Sequence, residues 1–101
     1  MDLQVRGVNL QPTEPIVEHA NRRFGFALDR LSHRIQRVIV KMSDPHAGGL
    51  MRCDVHVQLA GSPQPIIIEQ SASDLYGAID RAADRVKTCV RRFTKKTRQH
   101  R

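Results

Sequence analysis

The chain predicts an α+β fold in which two amphipathic helices pack on one face of a four-stranded sheet, in the order β-α-β-β-β-α. Three observations predict it. Residues 51–59 alternate strictly between apolar and polar, Val38-Ile39-Val40 is a β-branched run, and two long segments repeat apolar residues at three- and four-residue steps. A protein of 101 residues and 11.5 kDa with 40% hydrophobic content suits one compact core.

Leu3-Gln4-Val5-Arg6 alternates as a half-buried strand does, and Gly7 then permits a backbone that other residues resist. Thr13 is a good N-cap, with Glu14 and Pro15 suited to the first turn. Ile16, Val17, Ala20, Phe24, Ala27, Leu28 and Leu31 recur at helical spacing, so the first helix is expected to end near Ser32. Gly25 costs this helix about 1 kcal/mol relative to alanine and is expected to mark close packing.

The second strand is expected from Ile35 to Met42, with Val38, Val40 and Met42 on one side and Arg37, Ile39 and Lys41 on the other. Asp44-Pro45-His46-Ala47-Gly48-Gly49 gathers turn formers and makes a hairpin to Met51, Cys53, Val55, Val57 and Leu59. Gly61-Ser62-Pro63 turns the chain into a strand over Ile66-Ile67-Ile68-Glu69-Gln70. Ser71 or Ser73 is expected to cap a long last helix, whose stripe is Leu75, Ile79, Ala82, Val86, Cys89, Val90 and Phe93.

Net charge is +7 and the pI about 10.5. Residues 1–80 hold 8 basic and 9 acidic groups, whereas residues 81–101 hold 9 basic groups and only Asp84. Charge so concentrated creates a potential that phosphates feel, which makes nucleic acid the leading partner; the plainer alternative is a solvated helix end with a basic tail. At about 100 degrees per residue, Arg81, Arg85, Arg92 and Lys96 share a flank with Thr88 between them. Lys87, Arg91 and Arg98 fall on a second flank beside Asp80 and Asp84, where neighbours one turn apart are expected to neutralise one another in part. Arginine is favoured over lysine here, and its planar fork matches phosphate oxygens. Cations near a helix C-terminus also offset its dipole, a structural reason for Lys95 and Lys96.

Aromatics are scarce. Phe24 and Phe93 lie on the apolar stripes, Tyr76 next to one, and Phe26 alone is expected to be exposed. The outer strand faces offer no stacking platform, so recognition is expected to read shape and phosphate.

Two cysteines are too few for a secreted disulfide scaffold, and no charged segment leads into an apolar run of signal-peptide length; a reduced, cytoplasmic protein is expected. Apolar runs fall far short of the roughly 20 residues that cross a bilayer, so no membrane partner is expected. His19, His33, His46, His56 and His100 are dispersed without zinc-motif spacing to Cys53 or Cys89, and both cysteines are expected to be core residues. No nucleophile elbow or phosphate-cradling glycine loop is present, and the arginines flanking Asp80 and Asp84 keep both carboxylates ionised. No enzyme, cofactor, metal or small-molecule substrate is expected.

Asp74-Leu75-Tyr76-Gly77-Ala78-Ile79-Asp80 followed by a basic helix resembles the signature of the bacterial ribosome hibernation-promoting factors, also called ribosome-associated inhibitors or sigma-54 modulation proteins. Val5-Arg6-Gly7-Val8-Asn9 and Thr13-Glu14 resemble that family's opening strand and first cap, and the element order is the family's own. The resemblance implies a single ribosome-binding domain over residues 1–97 with a basic tail at 98–101. It also implies occupancy of the messenger and transfer RNA channel of the small (30S) ribosomal subunit, and so inhibition of translation in stationary phase or stress. The phosphate contacts it implies are Arg81, Arg85, Lys87, Arg91, Arg92, Lys95 and Lys96, with Arg22, Arg23 and Arg30 offered by the first helix.

By the same resemblance Tyr76 packs at the helix start and Asp80 orients neighbouring arginines. Gly77 and Pro15 stand where the family usually has alanine, and the Asp44 to Gly49 loop is rich in glycine with a proline. The chain resembles the short type, without the second domain by which long members pair two ribosomes, so any dimerisation of ribosomes would need a separate factor. Two other readings fit the residues: a general double-stranded RNA-binding module, and a protein-interaction modulator of a transcription factor.

Overall fold

The computed structural model describes residues 1–45 and 49–99, apart from the side chains of residues 96–99. The elements are β1 (Asp2–Gly7), α1 (Glu14–Leu28), a 3-10 segment (Asp29–Arg34), β2 (Ile35–Ser43), β3 (Met51–Leu59), β4 (Ile66–Ala72) and α2 (Leu75–Gln99). The sheet order is β1-β2-β3-β4; β1 runs parallel to β2, and the other neighbours are antiparallel. A parallel neighbour requires a crossover, and α1 supplies it.

Register puts every second residue of each strand under the helices. Val5, Val40, Val55 and Ile68 form one inward row, and Leu3, Val38, Val57 and Ile66 the next. The outward rows are Gln4-Ile39-His56-Ile67 and Arg6-Lys41-Asp54-Glu69. A register shift between Ile35 and Arg37 lets Ile35 face inward although it breaks the alternation with Val38. Ala20, Phe24 and Leu28 from α1 and Ile79, Ala82, Val86 and Val90 from α2 close the core. Ala78 and Ala83 are also fully buried, outside the expected stripe, because small side chains let α2 lie close to its neighbours.

Several expectations are corrected. The first helix stops at Leu28, not near Ser32: the chain tightens into the 3-10 segment, where the Ser32 hydroxyl donates to Asp29 O (3.0 Å) and Leu31 still packs on the core. The cap of α2 is Asp74, whose Oδ1 accepts from Gly77 N–H at 2.7 Å; Ser71 belongs to β4. Gly25 marks no close packing, since a Cβ there would meet nothing within 4 Å. Gly7 is required for space and not for an unusual φ: a Cβ would stand 2.0 Å from Leu10 O. Among the described residues Gly61 is the glycine with a left-handed backbone (φ 78°), in a turn closed by Ser62 N–H to Leu59 O at 3.3 Å. Phe93 is 40% exposed and not a core residue. Of the Asp44 to Gly49 loop, His46, Ala47 and Gly48 lie outside the described residues.

Candidate nucleic-acid interface

Between the 3-10 segment and the C-terminal half of α2 runs an open groove of about 870 Å³, lined by Arg30, Leu31, His33, Arg34, Thr88, Arg91, Arg92, Thr94 and Lys95. Among the described residues no carboxylate lines it. The helical spacing of Thr88, Arg91, Arg92 and Lys95 delivers them from one element, and the 3-10 turn delivers Arg30, His33 and Arg34 from the other. His33 and Arg34 were not among the residues expected, because a helix continued to Ser32 gives no reason to set them opposite α2.

The remaining expected cations are distributed around this groove. Arg81 and Arg85 line a shallow hollow with Gln70, Asp84 and Thr88 on the β4 side of α2. Thr88 borders both depressions, so the flank from Arg81 to Arg92 is continuous through it. Lys87 lies with Arg30 and Arg91 in a second hollow, on the α1 side. Arg22 is exposed on α1 and lines none of these depressions. The side chain of Lys96 lies outside the described residues, as do His100 and Arg101 of the basic tail.

Arg23 is the residue whose surroundings differ most from expectation. Its Nε donates to Asp80 Oδ1 at 2.9 Å and its Nη2 to Asp84 Oδ1 at 3.2 Å, while His19 Nε2 lies 2.8 Å from the same Asp80 oxygen. Arg23 therefore ties α1 to α2. Hydrogen bonding to Asp80 raises the pKa of its guanidinium, with desolvation opposing and the Asp80 and Asp84 charges assisting. Partial burial pushes the Asp80 carboxyl up, but the hydrogen bonds from His19 and Arg23 prevail and hold it below the ordinary value of 3.8. The acceptors expected to neutralise Lys87 and Arg91 are thus engaged across the helix interface. Among the described residues no ion pair joins Lys87 or Arg91 to Asp80 or Asp84. Tyr76 packs edge-on against His19, with ring centroids 4.9 Å apart, at the start of α2.

Among the described residues no group of three or more His, Cys, Asp or Glu side chains is placed to hold a metal ion. Cys53 is buried in β3 and desolvation pushes its thiol up to about 12, far from a nucleophilic thiolate; Cys89 is half-buried. No helix among the described residues is long and apolar enough to cross a membrane.

On the outer face of the sheet part of the charge is paired. Arg52 meets Asp54 and Glu69 at 2.9 Å each, and Arg37 meets Asp2 at 3.6 Å. Arg6 and Lys41 on the same face join no ion pair among the described residues, so what sets the helix side apart is the density of its cations.

No curated protein sequence matches the chain. Among solved structures, the N-terminal domain of Protein Y from Thermus thermophilus superposes with a TM-score of 0.72 and 32% identity, over 92% of this chain and 99% of that one. A ribosomal subunit interface protein from Coxiella burnetii shares the fold, with a TM-score of 0.79 at 16% identity over 94% of this chain and 99% of that one. The family model described as sigma 54 modulation protein / S30EA ribosomal protein matches residues 3–98. With nearly the whole chain matched and the β-α-β-β-β-α layout in place, the protein belongs to the sigma 54 modulation protein / S30EA ribosomal protein family.

Proposed function

We propose that this protein is a ribosome hibernation factor that occupies the messenger and transfer RNA channel of the small ribosomal subunit and blocks translation, held mainly by contacts to ribosomal RNA phosphates. The observation that carries the reading is the acid-free groove between the 3-10 segment and α2, in which Arg30, Arg34, Arg91, Arg92 and Lys95 converge from two elements. Family membership supports the ribosome as partner, and the described solved relatives include a subunit interface protein. Guanidinium forks grip phosphate oxygens in two-point contacts, and a groove walled by them on both sides holds a strand without reading its sequence. The protein works by occupancy, in the cytoplasm, without a cofactor or a small-molecule substrate; pairing of ribosomes, where it occurs, requires a separate factor.

The test combines sedimentation with cell-free synthesis. Purified protein should co-migrate with small subunits in a gradient, resist an excess of duplex RNA and inhibit synthesis in proportion to its occupancy. The triple variant Arg91→Glu, Arg92→Glu, Lys95→Glu should lose both properties. Equal inhibition by the charge-reversed protein would overturn the phosphate-held reading, and full displacement by duplex RNA would favour a general double-stranded RNA-binding module.

A further inference from the structure

Phe26 is 84% exposed, more than any other large apolar side chain among the described residues, whereas Phe24 two positions earlier is fully buried. Its ring stands at the edge of the second hollow, about 880 Å³ in volume, whose walls include Gly25, Asp29, Arg30, Lys87 and Arg91. Three features of this hollow suit a flat ring. Gly25 bears no side chain, and the space where one would begin is empty to 4 Å, so the approach along α1 is open. Arg30 and Arg91 offer planar guanidinium groups, which stack on nucleobases as aromatic rings do. Asp29 is the one carboxylate in the lining; it repels a phosphate but accepts from the exocyclic amino group of a base.

Arg30 and Arg91 also line the neighbouring acid-free groove. They are shared between a channel rich in cations, with no carboxylate among its described lining residues, and a hollow that holds Phe26 and Asp29. A nucleotide has the same two-sided character.

We propose that Phe26 is a stacking platform for an unpaired nucleobase, whose backbone phosphate lies against Arg30 and Arg91 in the cationic groove. This deepens the RNA-binding reading above and rests on it. It adds a base-bearing subsite to a surface whose sequence suggested phosphate contacts alone, and it restricts the ligand at this point to single-stranded or flipped-out nucleotides, since a paired base offers its face to its own neighbours.

The chain contains no tryptophan, so Phe26→Trp installs a single indole reporter at the platform. The probes are a short oligoadenylate and an abasic ribose-phosphate oligomer of equal length, titrated in low salt against wild type, Phe26→Trp, Phe26→Leu and Phe26→Ala. Oligoadenylate should bind wild type and Phe26→Trp with similar affinity and quench the indole emission. Phe26→Leu and Phe26→Ala should lose roughly 5- to 150-fold toward oligoadenylate, the range for one stacked base. The abasic oligomer should bind all four proteins alike without quenching. Undiminished oligoadenylate affinity in Phe26→Ala, or full affinity in Phe26→Leu, would overturn the platform, the latter pointing to a plain apolar contact. Failure of wild type to bind either oligomer would refute the phosphate-held surface itself, whereas equal binding of both refutes the stack alone.

Discussion

Asp80 on α2 accepts from Arg23 on α1 at 2.9 Å, with His19 at 2.8 Å on the same oxygen, and so the two helices are joined by a charged clasp. Asp80 is half exposed, so the clasp is worth what a surface network is worth. Replacing Asp80 by Asn should lower stability by about 0.2–1 kcal/mol per lost pair at neutral pH. Because the folded protein holds the Asp80 carboxyl below 3.8, this stabilisation is complete above that pH and disappears as pH falls through the depressed value. Urea midpoints should therefore separate wild type from Asp80→Asn at neutral pH and converge in strong acid; a gap that persisted in acid would show that the carboxylate charge is not what matters.

The same clasp separates two kinds of arginine. Arg85 and Arg92 line surfaces open to a ligand, and each Ala substitution should flatten the dependence of log affinity for small subunits on log salt by about 0.7–0.9. Arg23→Ala should leave that slope nearly unchanged while lowering stability, because its guanidinium is already committed to Asp80 and Asp84. Binding isotherms at several salt concentrations give all three slopes, and an equal flattening for Arg23 would place it on the RNA.

Two phenylalanines at helical-stripe positions should behave differently. Phe24 is fully buried, and Phe24→Ala should cost about 3–5 kcal/mol through the cavity it leaves. Phe93 lies 40% exposed beside the β3–β4 turn, and Phe93→Ala should cost less than about 2 kcal/mol. Chemical denaturation of both variants orders them, and the reverse order would contradict the burial of Phe24.

Glycines at positions 7 and 25 make the opposite pair. Gly25→Ala adds a methyl into open space within a helix and should raise stability by about 0.5–1 kcal/mol. Gly7→Ala drives a Cβ to 2.0 Å from Leu10 O and 2.7 Å from Pro12 Cδ, and should destabilise by about 1–3 kcal/mol as the backbone yields. Thermal midpoints of the two variants should move in opposite directions.

The layered fold and most of the core were legible in the sequence because alternation and helical spacing report directly on which face is wet. What escaped depended on contacts distant in sequence or on local backbone tightening. Arg23 reads as a helix-surface cation until Asp80, 57 residues later, is folded onto it. His33 and Arg34 join the groove only because the chain shifts from α to 3-10 geometry after Leu28, a change that no spacing pattern announces. Asn9 is a third case: its amide receives Asp44 N–H at 2.9 Å and donates to Asp44 O at 2.6 Å, pinning the end of β2 across 35 residues. Phe93 continues the apolar spacing of α2 but stands beside the β3–β4 turn, where it is partly open to solvent, and spacing alone does not register that.

The ion pairs on the outer sheet face, set against the concentration of cations along α2, give the molecule a preferred attitude toward a polyanion. Within about a Debye length, ~8 Å at physiological ionic strength, torque from that imbalance swings the helices forward before any atoms touch. Encounters then begin in the right orientation, so a small, compact protein captures a large target quickly and gives up that speed as salt rises.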